Sequence, residues 1–176
     1  MPMIDAYIPE NALTPEAEAR LFEELTDILI RHEGMDPANE RIRGVTWLFL
    51  HRPTIFRAGV PTTQPIYRIV PSVPEGQYTD AARQGLVRQV TEAVARAEGA
   101  PVEAVGGRVW VFPTEIFDGG WGSRGVIRTL PDIMEYFGGE ALRLVGEKRL
   151  AAKRQRDLAA MLETALAAVR AETDAA

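Results

Sequence analysis

The sequence predicts an α/β (α+β) protein in which two tandem βαβ units share a four-stranded sheet, with both helices on one face and a further helix at the C-terminus. Three observations predict it. A strand, helix, strand pattern occurs twice; the two occurrences align with each other; and 176 residues, 46% of them apolar, supply one compact core but not two ordinary ones.

Residues 2–9, PMIDAYIP, form the first strand candidate. Thr14-Pro15-Glu16 then supplies an N-cap, a proline suited to the first helical position and an acidic first turn, so a helix starts there and runs to about Gly34. Leu21, Leu25, Ile28, Leu29 and His32 fall on its inward stripe. After a polar loop, VTWLFL (45–50) is a short apolar run of buried-strand character. The second occurrence consists of PIYRIVPSV (65–73), a helix from Thr79 to Glu98 with Ala82, Leu86, Val90, Val94 and Ala97 inward, and RVWVF (108–112).

LTDILIRHEG (25–34) overlies VTEAVARAEG (90–99) at an offset of 65, and Trp47 overlies Trp110 at 63, so the intervening loop is longer in the first copy. TIFRAGVPTTQ (54–64) joins the copies. Parallel crossovers are right-handed in nearly all cases, which puts both helices on one face and leaves the other apolar and bare. A homo-oligomer packing its sheets around an axis is the economical cover. The expected organisation is one domain over 1–140 (units 2–52 and 65–125, linker 53–64, hairpin and connector 126–140). A helical extension follows over 141–176, bent near Gly146, with Leu158, Met161, Leu162, Ala165 and Val169 as its apolar stripe.

A formal charge of −5 gives no general attraction for nucleic acid or an anionic membrane, and neither is expected as a partner. Lys148, Arg149, Lys153, Arg154 and Arg156 cluster on the extension and are expected to form a solvated face. No cysteine and only two histidines leave no thiol chemistry and little for a metal; no metal or cofactor is expected. The absence of a basic, apolar leader or a long apolar run predicts a cytoplasmic protein. GWGSRG (120–125) satisfies the dinucleotide-loop spacing, but Pro131 interrupts the helix that should follow it.

Pro2 admits two readings. Proline lacks an N–H and suits the first residue of a strand. If Met1 is removed, Pro2 becomes instead a free secondary amine at the mouth of a sheet, which is a base.

A twofold βαβ chain beginning Met-Pro resembles the tautomerase superfamily, specifically its longer, fused members. Residues 75–125, EGQYTDAARQGLVRQVTEAVARAEGAPVEAVGGRVWVFPTEIFDGGWGSRG, resemble the short 4-oxalocrotonate tautomerases, and ALTPEAEARLFEELTD (12–27) and IFRAG (55–59) resemble the cis-3-chloroacrylic acid dehalogenase group. The resemblance implies a homotrimer in which the Pro2 amine moves a proton between carbon and oxygen of a small 2-keto acid or its enol. It implies that Arg108 binds the substrate carboxylate and that Trp121 makes the pocket apolar. Gln77 stands where these relatives carry arginine after Glu-Gly, which weakens one carboxylate clamp, and Arg52, beside His51, is a further pocket cation to consider. Gly120 replaces the dehalogenases' water-activating glutamate, with Glu115 and Asp118 further back, so hydrolytic dehalogenation is disfavoured. The alternatives are another proline-dependent reaction on small unsaturated or keto acids, a decarboxylation or hydration, and an inactive trimeric binding protein. Each site residue also has a plain structural role: Arg108 at the start of a strand, Trp121 in hairpin packing, and His51-Arg52 as a surface pair.

Overall fold

The computed structural model describes residues 3–174. Its first unit is β1 (Met3–Tyr7), α1 (Pro15–His32), a short α2 (Glu40–Arg43) and β2 (Trp47–His51). A small hairpin of β3 (Phe56–Arg57) and β4 (Val60–Pro61) leads to the second unit, β5 (Tyr67–Pro74), α3 (Asp80–Glu98), α4 (Val102–Val105) and β6 (Val109–Val111). The chain continues through β7 (Thr114–Ile116), a hairpin of β8 (Gly122–Ser123) and β9 (Val126–Ile127), and α5 (Leu130–Asp174). Both long helices start as their sequences dictate: Thr14 Oγ1 accepts from the Ala17 N–H at 3.2 Å, and Thr79 Oγ1 from Ala82 N–H at 3.1 Å.

β1 pairs in parallel with β2 and antiparallel with β5, which pairs in parallel with β6, giving the order β2-β1-β5-β6. The duplication persists in the register. Met3 faces Trp47 and Arg68 faces Trp110, the positions equated by the two sequence offsets. The fourth strand differs from expectation, because β6 lies along 67–69 and β7 along 72–74 in one continuous register. That register sets Pro71 opposite Pro113; neither has an N–H to donate, so the ladder breaks there and the strand becomes two.

Ile4, Ala6 and Ile8 of the first unit and Ile69 and Val73 of the second meet Leu21, Leu25, Leu29, Leu86, Val90 and Val94 in the main core. The opposite sheet face carries Trp47, Phe49, Trp110 and Phe112, each more than 40% exposed. Bare aromatic surface of this kind marks a contact face rather than a solvated one.

α5 is two arms meeting at Gly138-Gly139, where the backbone leaves helical angles. Gly146, read in the sequence as the bend, is instead the crossing point of the arms, since a Cβ there would lie 3.0 Å from Pro131 Cα. The basic cluster expected to be a solvated face largely fastens this helix to the domain. Lys153 lies 3.6 Å from Glu75, Arg154 bonds Asp118 at 2.8 Å, and Arg149 reaches Glu33 and Gln77. Leu158, Met161 and Leu162 lie beyond this attachment and are more than half exposed. No helix among the described residues is long and apolar enough to cross a membrane.

Candidate active site

Pro2 lies outside the described residues, so the surroundings of the site are built from Met3 onward. Met3 faces Ser72 on β5 and packs in an apolar cluster separate from the main core, with Ile30, Met35, Ile116, Trp121, Ile133 and Phe137. Trp121 is held at the mouth of the β8–β9 hairpin, its carbonyl accepting from the Arg128 N–H at 2.8 Å, and its buried Nε1 has no hydrogen-bond partner among the described residues. An amine against such walls loses hydration of its charged form and titrates lower than in water.

Beside Ile116, the chain passes from β5 to α3 through Glu75-Gly76-Gln77-Tyr78. Glu115 holds that turn: Oε1 accepts from the N–H groups of Gly76 (2.9 Å) and Tyr78 (3.1 Å), and Oε2 takes the Arg83 guanidinium at 2.6 Å. Gly76 has φ +88°, and a Cβ there would meet Leu150 Cα on α5 at 3.0 Å, so this position requires glycine twice over. Glu75 accepts from the Asp118 N–H at 2.8 Å, and Asp118 pairs with Arg154. The carboxylates preceding the hairpin therefore serve as structural ties.

Gln77 is buried. Its amide donates to the carboxylate and carbonyl of Glu33 at 3.3 and 3.4 Å, and its Oε1 accepts from Arg149 at 3.2 Å. Glu33, just past the end of α1, is only 2% exposed, and its Oε1 has no hydrogen-bond partner among the described residues. Burial pushes its carboxyl up to about 7, against the pull of the amino-terminal charge, the Gln77 bond and the Arg149 charge. The Tyr78 hydroxyl is also buried without a hydrogen-bond partner among the described residues; burial, then the charges of Glu33 and Glu115, push its phenol upward. Together these groups offer a carboxyl able to hold or release a proton near neutral pH, two unused polar atoms and an arginine, next to an apolar wall.

Trp121 packs with Met3 at the start of β1, and Gln77 lies in the turn that follows β5, beyond the Ser72 position opposite Met3. Arg108 and Arg52 lie elsewhere within the protomer. Arg108 precedes β6 near Tyr67, the end of β5 opposite Ser72, and forks onto Glu98 at 2.7 and 2.6 Å while donating to the Pro65 carbonyl. Tyr67 Oη donates to the same glutamate at 2.6 Å. The Arg108 bonds, followed by the Tyr67 bond, hold the Glu98 carboxyl below the usual carboxylate range despite partial burial. Arg52 follows β2 at that same end and forks onto Glu18, both bonds being 2.7 Å. His51 bonds Asp5 at 2.7 Å and stacks on Tyr7.

Glu33, Tyr78 and Arg149 were not singled out from sequence. For Glu33 a signal existed: the offset of 65 equates it with Glu98, so the repeat retains a carboxylate at the end of each long helix. Arg149 carried none, because its role depends on how α5 folds back.

No family model matches the sequence, and no curated protein matches it. Solved structures do. Pt0534, in a crystal structure of the protein inactivated by 2-oxo-3-pentynoate, aligns with a TM-score of 0.57 at 20% identity, over 71% of this chain and 94% of that one. A fused 4-OT, F6, described as an asymmetric trimer, gives 0.57 at 22% identity over the same shares. Macrophage migration inhibitory factor of Toxoplasma gondii gives 0.55 at 13% identity, over 72% of this chain and 99% of its own. The chain has the fold of the tautomerase superfamily.

Proposed function

We propose that the protein is a tautomerase of small 2-keto, or 2-hydroxy-enol, carboxylic acids, with the Pro2 amine acting as base and then acid once Met1 has been removed. The observation that carries this reading is the position of Met3, packed with Trp121, Ile30 and Ile116 next to the Glu33–Gln77 turn. Apolar walls of this kind suit a neutral amine at the opening of the strand. An α-amino group titrates at about 7.7–8.0 in water, so a modest lowering makes it a neutral base at pH 7. The repeat supplies a second support. Its offset equates Pro2 with Tyr67, whose hydroxyl bonds Glu98, and equates Glu98 with Glu33. We read Glu33 as the carboxyl that keeps company with the amine and, being protonated near neutrality, lets it stay uncharged.

The proposed assembly is a homotrimer closed through the bare aromatic sheet face; the fused 4-OT relatives F6, R7 and Q0 are described as trimers. Arg108 and Arg52 remain proposed substrate contacts only for a site to which a second protomer contributes, because in their own both lie at the end of the sheet away from the start of β1.

The test is turnover by processed protein. Intact mass should show loss of Met1, and phenylenolpyruvate or 2-hydroxymuconate should ketonise faster than in buffer. Processed protein that accelerates neither would contradict the proposal and favour a binding protein of the same fold.

A further inference from the structure

Between the end of α1, the turn into α3 and the second arm of α5 lies an open cleft of about 350 Å³, a volume that suits a small organic acid. Its lining includes Arg31, Glu33, Gln77, Tyr78, Arg149 and Arg156. Three of these six are arginines and one is acidic, so the cleft is positive in a chain whose net charge is −5.

Arg149 is fixed within it. One guanidinium nitrogen donates to the Glu33 carbonyl at 2.9 Å and to Gln77 Oε1 at 3.2 Å. The other lies over Gly34, where a Cβ would stand 2.9 Å from it and where φ is +75°, so the absence of a side chain makes room for the guanidinium. No carboxylate lies within ion-pair distance of Arg149 among the described residues, whereas Arg52, Arg108, Arg83 and Arg154 each hold one. The wall supplies the remaining chemistry: Glu33 and Tyr78 are among its lining residues, and the Glu33 Oε1 and the Tyr78 hydroxyl, themselves buried, have no hydrogen-bond partner among the described residues. Buried polar atoms of this kind are normally satisfied, which sets these two apart within the wall. With its carboxyl titrating near 7, Glu33 has a protonated form that donates a hydrogen bond rather than repelling an anion.

We propose that Arg149 anchors the carboxylate of a small organic acid in this cleft, which makes the C-terminal extension part of the substrate site. The choice of an organic acid rests on the function proposed above; the cation, its fixed geometry and its missing counter-ion do not. The fork of a guanidinium accepts a carboxylate through two parallel bonds, and Gln77, in the turn where the resembled enzymes carry an arginine, here presents α5's arginine instead.

The experiment is calorimetric titration of the full-length protein with 3-phenylpropionate and its uncharged counterpart 3-phenylpropanamide, alongside keto-acid kinetics. The wild type should prefer the acid. Arg149→Gln should weaken acid binding on the order of 10²-fold, leave amide binding alone and raise KM more than it lowers kcat. Arg149→Lys, which retains the charge and a donor to the Glu33 carbonyl, should restore only part, and Lys148→Gln on the same turn should change nothing. If Arg149→Gln fails to fold, the lysine variant carries the test. Acid binding unchanged in the folded variants, or a wild type that binds acid no better than amide, would make Arg149 a strut between helix and turn. Arg149-dependent binding without turnover would sink the tautomerase reading alone; Pro2-dependent turnover untouched by Arg149→Gln would sink this inference alone.

Discussion

Glu33 makes the account quantitative. Its carboxyl titrates at 4.5 in an open chain and at about 7 in the fold, so the folded state binds that proton more tightly by roughly 3 kcal/mol. For a raised carboxyl, the contribution to stability is fully present below pH 4.5 and is lost as pH rises through about 7. Glu33→Gln keeps the shape and an oxygen to accept from Gln77 but cannot ionise. The assay is urea unfolding of both proteins at fixed protomer concentration between pH 5 and 8, followed by tryptophan fluorescence. Groups common to both proteins cancel in the difference. Among the facing groups, Gln77 is neutral, Arg149 stays charged throughout and the Tyr78 phenol is pushed upward, away from this window, while the amino terminus, whose charge pulls the Glu33 carboxyl down, loses its proton toward the upper end of it. The glutamine variant should gain on the parent as pH rises, the gap widening by about 2.5 kcal/mol across the window. Parallel profiles would show that the Glu33 carboxyl is solvated, and would remove it as a partner for an uncharged amine.

Arg108→Ala should destabilise the protein by about 3 kcal/mol in chemical unfolding, because it leaves Glu98 largely buried and without its cation; a loss below about 0.5 kcal/mol would return the pair to ordinary surface value. Gly76→Ala should cost at least about 2 kcal/mol, through a left-handed φ and a collision with Leu150, and should expose α5 to proteolysis. Phe49→Lys with Trp110→Lys should turn the proposed trimer into protomers in light scattering while leaving the main core intact, since both side chains stand on the bare face; an assembly unchanged by the pair would place the interface elsewhere.

Much of this fold was legible because the sequence states it twice. The N-caps at Thr14 and Thr79, the inward stripes and the equivalence of Trp47 with Trp110 all depend on local spacing, and each appears as read. The split fourth strand was not foreseen, because Pro113 matters only opposite Pro71, a register the sequence does not state. Gly146 misled for a similar reason: a glycine inside a helix signals a bend or a close approach equally well, and only the position of Pro131 decides between them. At the site, motif position singled out Trp121 and Gln77, and their roles toward a substrate belong to the proposal. Arg108 and Arg52 were chosen as forked cations without knowledge of their neighbours, and Glu98 and Glu18 already occupy both forks. Arg149 escaped notice because a basic run on an amphipathic helix looks solvated until the helix folds back over a turn.

The most direct test of the central claim is the turnover of phenylenolpyruvate by processed wild-type protein and by Pro2→Ala, with intact masses establishing that Met1 is absent from both. Proton transfer by a positioned base is worth about 10²–10⁴-fold, and alanine leaves a primary amine of poorer fit, so the variant should lose activity of that order while keeping its assembly. A Pro2→Ala protein as fast as its parent would contradict the account and leave Pro2 as the first residue of a strand.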